Sequence, residues 1–212
     1  MVLALGGVLR RFVREVELLR AAFVRQLPLL TGRGLWLEAE PIAIQSYAII
    51  RLHDAWARYS RSLVLSSAYP CRTLTGVPIS RSPLLPSGGS ALDTLRSTYP
   101  PKRQKKALWE PRWFDSTEAI TAAQQLQINN FPNVSAGLGL VGHGPEELRA
   151  CRNFLAHRSH YSNSELDAVR IRLTLPMSYA AEELAAATVT GGATLFDDWC
   201  LDLLQRAETA AQ

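Results

Sequence analysis

The stretch Leu148-Arg-Ala-Cys-Arg152-Asn153-Phe-Leu-Ala-His157-Arg158 decides how the 212-residue chain is read. At 100° per residue, Leu148, Cys151, Phe154 and Leu155 fall on one apolar stripe, as in a helix laid against a core. Arg152 sits at the edge of that stripe, where a guanidinium needs a partner. Asn153 and His157, four residues apart, share another side, so the amide is placed to hydrogen-bond or orient the imidazole. The helix opens at Pro145-Glu-Glu147, where proline suits a first turn and carboxylates suit the positive end of the helix dipole.

Upstream of this helix, Asn129-Asn-Phe-Pro-Asn133 and Gly137, Gly139, Gly142 and Gly144 read as a turn and connector that match no nucleotide-binding fingerprint. Asp115-Ser-Thr-Glu118 has capping-box spacing and predicts a helix to Gln127. Residues 67–115 hold seven of the 12 prolines, with Ser87-Gly-Gly89, and read as a long insertion with one short helical candidate, Ala91 to Thr98. A helix from about Pro41 to Ser66 has the seam Ile42, Ile49, Leu52, Trp56, Tyr59 and Leu63. His53 and Asp54 read as surface charges beside it, since adjacent helical residues point apart. The first helix runs from Leu5 to Leu27, ended by Pro28.

Downstream, Val169, Ile171, Leu173 and Leu175 alternate with Arg170, Arg172 and Thr174, which predicts a short strand. A final helix, from Thr194 to about Arg206, has a threonine cap and Asp197 and Asp198 in its first turn. The fold expected is an all-α helical bundle in a single domain, with a long Pro/Ser/Gly-rich insertion and one short β element.

A content of 47% hydrophobic and 20% charged residues supplies a core and excludes wholesale disorder. Cys71, Cys151 and Cys200 are odd in number and never paired as CxxC, so neither a disulfide scaffold nor a zinc cage is expected, and no cofactor. Cys151 lies on the apolar stripe and reads as a core residue. The N-terminal apolar run is followed by arginines rather than a cleavage site, and no apolar run approaches the ~18 residues of a membrane span, so a cytoplasmic protein without membrane contact is expected. The net charge of +4 permits an anionic partner. All three lysines fall within Lys102 to Lys106, and the cluster Lys102, Arg103, Lys105 and Lys106 precedes Trp109 and Trp113, a pattern that suits a polyanion with aromatics for stacking, with RNA, DNA and acidic protein left equally open by composition.

Arg152 and His157 are about 140° apart on an ideal helix, so one helix does not converge them on one bond. A two-fold dimer supplies two imidazoles for proton transfer and two guanidiniums for a phosphate, an inventory suited to phosphodiester chemistry. Spacing alone carries little weight: with 20 Arg and 4 His, an Arg five residues before a His arises by chance in about one such chain in three.

Arg152-Asn-Phe-Leu-Ala-His157 resembles the R-polar-xxx-H signature of the HEPN superfamily, in the R-N-x-x-A-H form of bacterial proteins linked to toxin–antitoxin and phage-defence loci. The likeness extends to the order of helices over roughly residues 1–66 and 115–205. It implies an all-helical bundle that dimerises with both motifs across a shared cleft, and metal-independent RNA cleavage by 2′-OH attack on the adjacent phosphate. On this resemblance Arg152 binds the scissile phosphate, His157 moves protons and Asn153 sets the geometry. Arg158 and His160 follow immediately and read as secondary RNA contacts, in a stretch that otherwise reads as a solvated loop at the helix exit. An antitoxin or another defence-system protein is the further partner implied. The alternative is a non-catalytic dimeric module that binds RNA, a nucleotide or a partner protein.

Overall fold

The computed structural model describes residues 3–31, 39–98, 110–189 and 192–212. Among them the chain is mostly helical with one three-stranded sheet of two-residue strands. The strands are β1 (Leu3–Ala4), β2 (Cys71–Arg72) and β3 (Pro78–Ile79), with β2 parallel to β1 and antiparallel to β3. The helices are α1 (Leu5–Thr31), α2 (Ala39–Ser67), α3 (Ala91–Thr98), α4 (Ser116–Gln125), α5 (Phe131–Leu138), α6 (Gly144–His157), α7 (His160–Arg172), α8 (Ala181–Ala186) and α9 (Leu195–Ala211). The chain divides into two compact units, Met1–Phe12 with Trp56–Val141 and Leu204–Gln212, and Val13–Ala55 with Gly142–Leu203.

In the first unit the core gathers on aromatic rings. Phe12 lies 4.8 Å from the Tyr59 ring centroid and 6.0 Å from that of Trp56. The Tyr59 hydroxyl, buried with its ring, donates to the Ala207 carbonyl at 2.7 Å. Each such buried ring is worth about 1.5–3 kcal/mol over its exposed state. The described part of 67–115 joins this core: Cys71, Ile79, Leu85, Ala91 and Leu95 are buried, and α3 has the predicted bounds. Trp113 is buried too, its indole donating to Glu110 at 2.9 Å, so it is not available for base stacking.

Two local expectations for this unit change. Glu118 does not close a capping box: Asp115 caps Thr117 and Glu118 N–H, whereas the Glu118 carboxylate takes the Arg112 N–H at 2.7 Å. The stretch read as a turn and connector contains α5. Pro132 in its first turn is compatible with a helix, and Gly137 is there for close packing rather than flexibility. A Cβ at Gly137 would sit 2.3 Å from the Ala210 backbone nitrogen. The α5 end is closed by buried Arg206, which donates to the Leu138 carbonyl at 2.9 Å.

In the second unit Phe23 stacks on Phe196, with centroids 4.1 Å apart, and Phe196 meets Trp199 edge-on at 6.3 Å. Thr194 caps α9 as expected, its hydroxyl accepting from Asp197 N–H at 3.1 Å. Asp197 also accepts from Arg20 at 2.6 Å. α1 continues past Pro28 to Thr31, although Pro28 has no N–H to donate to the Val24 carbonyl.

The predicted strand at 169–175 is instead the end of α7 followed by a turn. Val169 and Arg170 are buried while Ile171 and Arg172 are exposed or nearly so, which is a helical and not an alternating pattern. Arg170 faces inward because the Tyr179 carbonyl, Asp167 and Asn163 satisfy its guanidinium. The three cysteines are free and buried. No helix among the described residues is long and apolar enough to cross a membrane.

Gly137→Ala forces a methyl into the α5–α9 contact, an overpacking cost of about 1–3 kcal/mol. Urea denaturation will show a lower midpoint at unchanged slope; an unchanged midpoint would contradict the close approach. In the same unit Glu110 accepts from Arg61 Nε and Nη2 at 2.7 and 3.2 Å, and this pairing, helped by the Trp113 indole against partial burial, holds its carboxyl below the ordinary value. Its folded pKa is depressed, so its contribution is complete above the unfolded-state value near ~4.3 and is lost as pH falls through the lower folded value. Between pH 5 and 3 the wild type will therefore lose stability more steeply than Glu110→Gln, as read from urea midpoints.

Candidate functional site

α6 begins where Gly144 N–H donates to Asp202 at 3.1 Å, a close contact that a Cβ at Gly144, 2.5 Å from the Asp202 Oδ2, would crowd. Pro145 stands in its first turn with Glu146 and Glu147. Glu147 is buried and held by the Trp199 indole at 2.9 Å and by Arg172. Burial pushes its carboxyl up, and the indole and the Arg172 guanidinium oppose that rise. Leu148, Ala150 and Cys151 then seat the helix in the core, and burial holds the Cys151 thiol well above its ordinary value, as a core residue and not a nucleophile.

Burial declines along the helix. Arg152, Asn153, Phe154 and Leu155 are half-buried, and Ala156, His157 and Arg158 are exposed. Arg158 ends the helix in the left-handed region at φ 43°, and its N–H donates to the Phe154 carbonyl at 2.9 Å. Ser159 at once caps α7: it accepts from Ser162 N–H at 3.2 Å, while the Ser162 hydroxyl accepts from Ser159 N–H at 2.9 Å. The chain therefore reverses within two residues, and His160 is exposed at the first position of α7.

This reversal sets the polar contacts. Asn153 Nδ2 donates to Glu165 Oε2 at 3.1 Å, and Arg149 Nη2 lies 3.3 Å from Glu165 Oε1. Arg152 Nη1 reaches Asn153 Oδ1 at 3.5 Å, and its Nε is buried with no hydrogen-bond partner among the described residues. The predicted pairing of Asn153 with His157 is not made; a carboxylate on the returning helix is the stronger acceptor, and His157 stands in the last, exposed turn. His157 hydrogen-bonds to no other described residue. Arg152 and His157 are carried by one helix but not brought together within the protomer.

His53 is corrected as well. It is only 6% exposed, not a surface charge, and its Nδ1 lies 3.6 Å from Asp54 Oδ1. Burial pushes its imidazole below the ordinary value, Asp54 opposes this, and the guanidiniums of Arg152 and Arg149 add to it. Sequence reasoning missed Glu165, Arg149 and His53 as parts of this region. No local signal marks Glu165: its approach to Asn153 depends on the reversal at Arg158 and Ser159, where the sequence reads as a helix exit.

Lys102, Arg103, Lys105, Lys106 and Trp109 lie outside the described residues. Among the described residues no group of three His, Cys, Asp or Glu side chains is placed to hold a metal ion. The class the structure defines is a mostly helical protein with a partly exposed Arg-Asn-His helix end. No family model, curated protein or solved structure matches the chain.

The Asn153–Glu165 bond is charge-assisted but partly solvated, which places its coupling at about 0.5–1.5 kcal/mol. A double-mutant cycle of Asn153→Ala and Glu165→Ala in thermal or urea unfolding will read that coupling; additive effects would mean the bond is not formed in solution.

Proposed function

We propose that the chain is a metal-independent endoribonuclease of the HEPN type, acting as a homodimer. The observation that carries this reading is the arrangement along α6: Arg152 is half-buried beside Asn153, which Glu165 anchors, while His157 is exposed at the helix end next to Arg158 and His160. The guanidinium is half-buried and touches the anchored amide at 3.5 Å, and the imidazole is open to a substrate.

In this reaction an imidazole removes the proton of a ribose 2′-OH, and that oxygen attacks the adjacent phosphorus. The bond from phosphorus to the 5′ oxygen breaks, and a protonated imidazole donates to the departing oxygen, leaving a cyclic phosphate and a 5′-OH. Arg152 binds the phosphate oxygens and neutralises charge that grows as the bond forms. One protomer offers a single His157, about 140° around the helix from Arg152, so the acid and base come from two copies. Half-buried Phe154 and Leu155, with Tyr161 71% and Ile171 70% exposed, offer apolar surface for that second copy. Arg158 and His160 supply secondary contacts to RNA, and Lys102, Arg103, Lys105 and Lys106 supply phosphate contacts. The biological setting that fits is a toxin or phage-defence effector, restrained by an antitoxin or engaged by another defence protein.

One observation favours the second reading, a non-catalytic dimeric module for RNA, a nucleotide or a protein: Asn153 is bound to Glu165 and leaves His157 unoriented. Incubating the protein with total RNA in EDTA separates the two. The enzyme reading expects cleavage, lowered about 10²-fold or more by His157→Ala and by Arg152→Ala with helicity intact by circular dichroism. Identical RNA patterns for wild type and both variants would leave the binding module.

A further inference from the structure

In the first unit, a cleft of about 240 Å³ opens between the start of α1 and the last turns of α2. Val8 gives it an apolar wall, and Arg11, Arg61, Ser62, Ser66 and Tyr69 give it a polar lining without a carboxylate. Its donors are held in different ways. Arg61 commits Nε and Nη2 to Glu110, which fixes the guanidinium plane. Arg96, 4.0 Å from Glu110, is paired with Asp93 at 3.1 Å, so Glu110 balances Arg61 and the positive charge left over in the lining is that of Arg11. The Arg11 guanidinium and the Ser62 and Ser66 hydroxyls donate to no other described residue. Tyr69 is pinned from behind, accepting from Ala91 N–H at 2.9 Å and donating to the Gly89 carbonyl at 3.4 Å, so its ring is fixed beside the cleft.

A small void with two guanidiniums and two hydroxyls, positive in balance and backed by an apolar wall and a ring, selects for a compact anion with several acceptor oxygens. The volume is below the ~300–1,000 Å³ of sites for drug-sized ligands, which suits a phosphate with its sugar rather than a longer ligand. We propose that this cleft binds the phosphate group of a nucleotide, with Arg11 as the principal contact and Ser62 and Ser66 as supporting donors. The phosphate comes either from a free mononucleotide or from an RNA chain. The site is separate in sequence from Arg152 and His157, and it stands whether or not the chain cleaves RNA.

Calorimetric titration of the full chain with inorganic phosphate, adenosine 5′-monophosphate and adenosine tests it. The monophosphate is expected to bind at least about ten-fold more tightly than adenosine, and inorganic phosphate to compete with it. Arg11→Gln, at an exposed helical position, should weaken the monophosphate about ten-fold or more, and Ser66→Ala should weaken it less. A short fluorescent single-stranded RNA carrying 2′-O-methyl groups, which has no free 2′-OH to react, identifies the source: displacement by the monophosphate assigns RNA phosphate, and binding of the monophosphate without displacement assigns a free nucleotide. Equal binding of monophosphate and adenosine, no detectable binding of either, or unchanged affinity in both Arg11→Gln and Ser66→Ala would overturn the proposal. None of these readings involves cleavage, so the outcome is distinct from that of the RNA assay.

Discussion

The reversal at Arg158 and Ser159 folds α7 back along α6 and brings one carboxylate, Glu165, within 3.1 Å of Asn153 and 3.3 Å of Arg149. The candidate site depends on this contact. It requires an arginine to take a left-handed backbone conformation, at a cost on the order of 1–2 kcal/mol, and the reciprocal Ser159–Ser162 cap offsets that cost by satisfying the new helix start. Without the reversal, Asn153 would have no partner across the turn, and the amide that Arg152 touches would lose its anchor.

The same helix is anchored at its other end by a different logic. Glu147 is taken out of water and compensated by an indole N–H and a guanidinium, so loss of either partner would leave the buried carboxylate under-compensated, whereas Arg172 itself reaches solvent. Between these anchors burial falls from complete at Cys151 to slight at His157. A helix buried at one end and open at the other can present a half-buried cation and an accessible titratable group to a large substrate, and this gradient connects the packing to the proposed chemistry.

Where a segment's structure follows from local chemistry, the sequence was enough. Of the seam, Ile49, Leu52, Trp56, Tyr59 and Leu63 are buried and Ile42 is half-buried, α3 has its predicted bounds, and Thr194 caps α9. Where distant contacts decide, it was not. Gly137 reads as a breaker until the α9 backbone is found against it, and Arg170 reads as the polar half of an alternation until Tyr179 and Asp167 are found around its guanidinium. His53 looked exposed because its neighbours Arg51 and Asp54 are polar, yet it points inward. For the site, Arg152, Asn153 and His157 were legible as a set, and their placement on one partly exposed helix end follows. The partner of Asn153 was not legible, because an exit loop was expected where α7 begins.

The central claim is that an imidazole at residue 157 acts on a ribose hydroxyl. It is tested most directly with two oligonucleotides of one sequence, one all ribose and one carrying 2′-O-methyl groups, incubated with the protein in EDTA and analysed by mass spectrometry. The account predicts fragments ending in a cyclic phosphate from the ribose strand and none from the methylated strand. Equal cutting of both strands, or fragments with a plain 3′-OH, would contradict it.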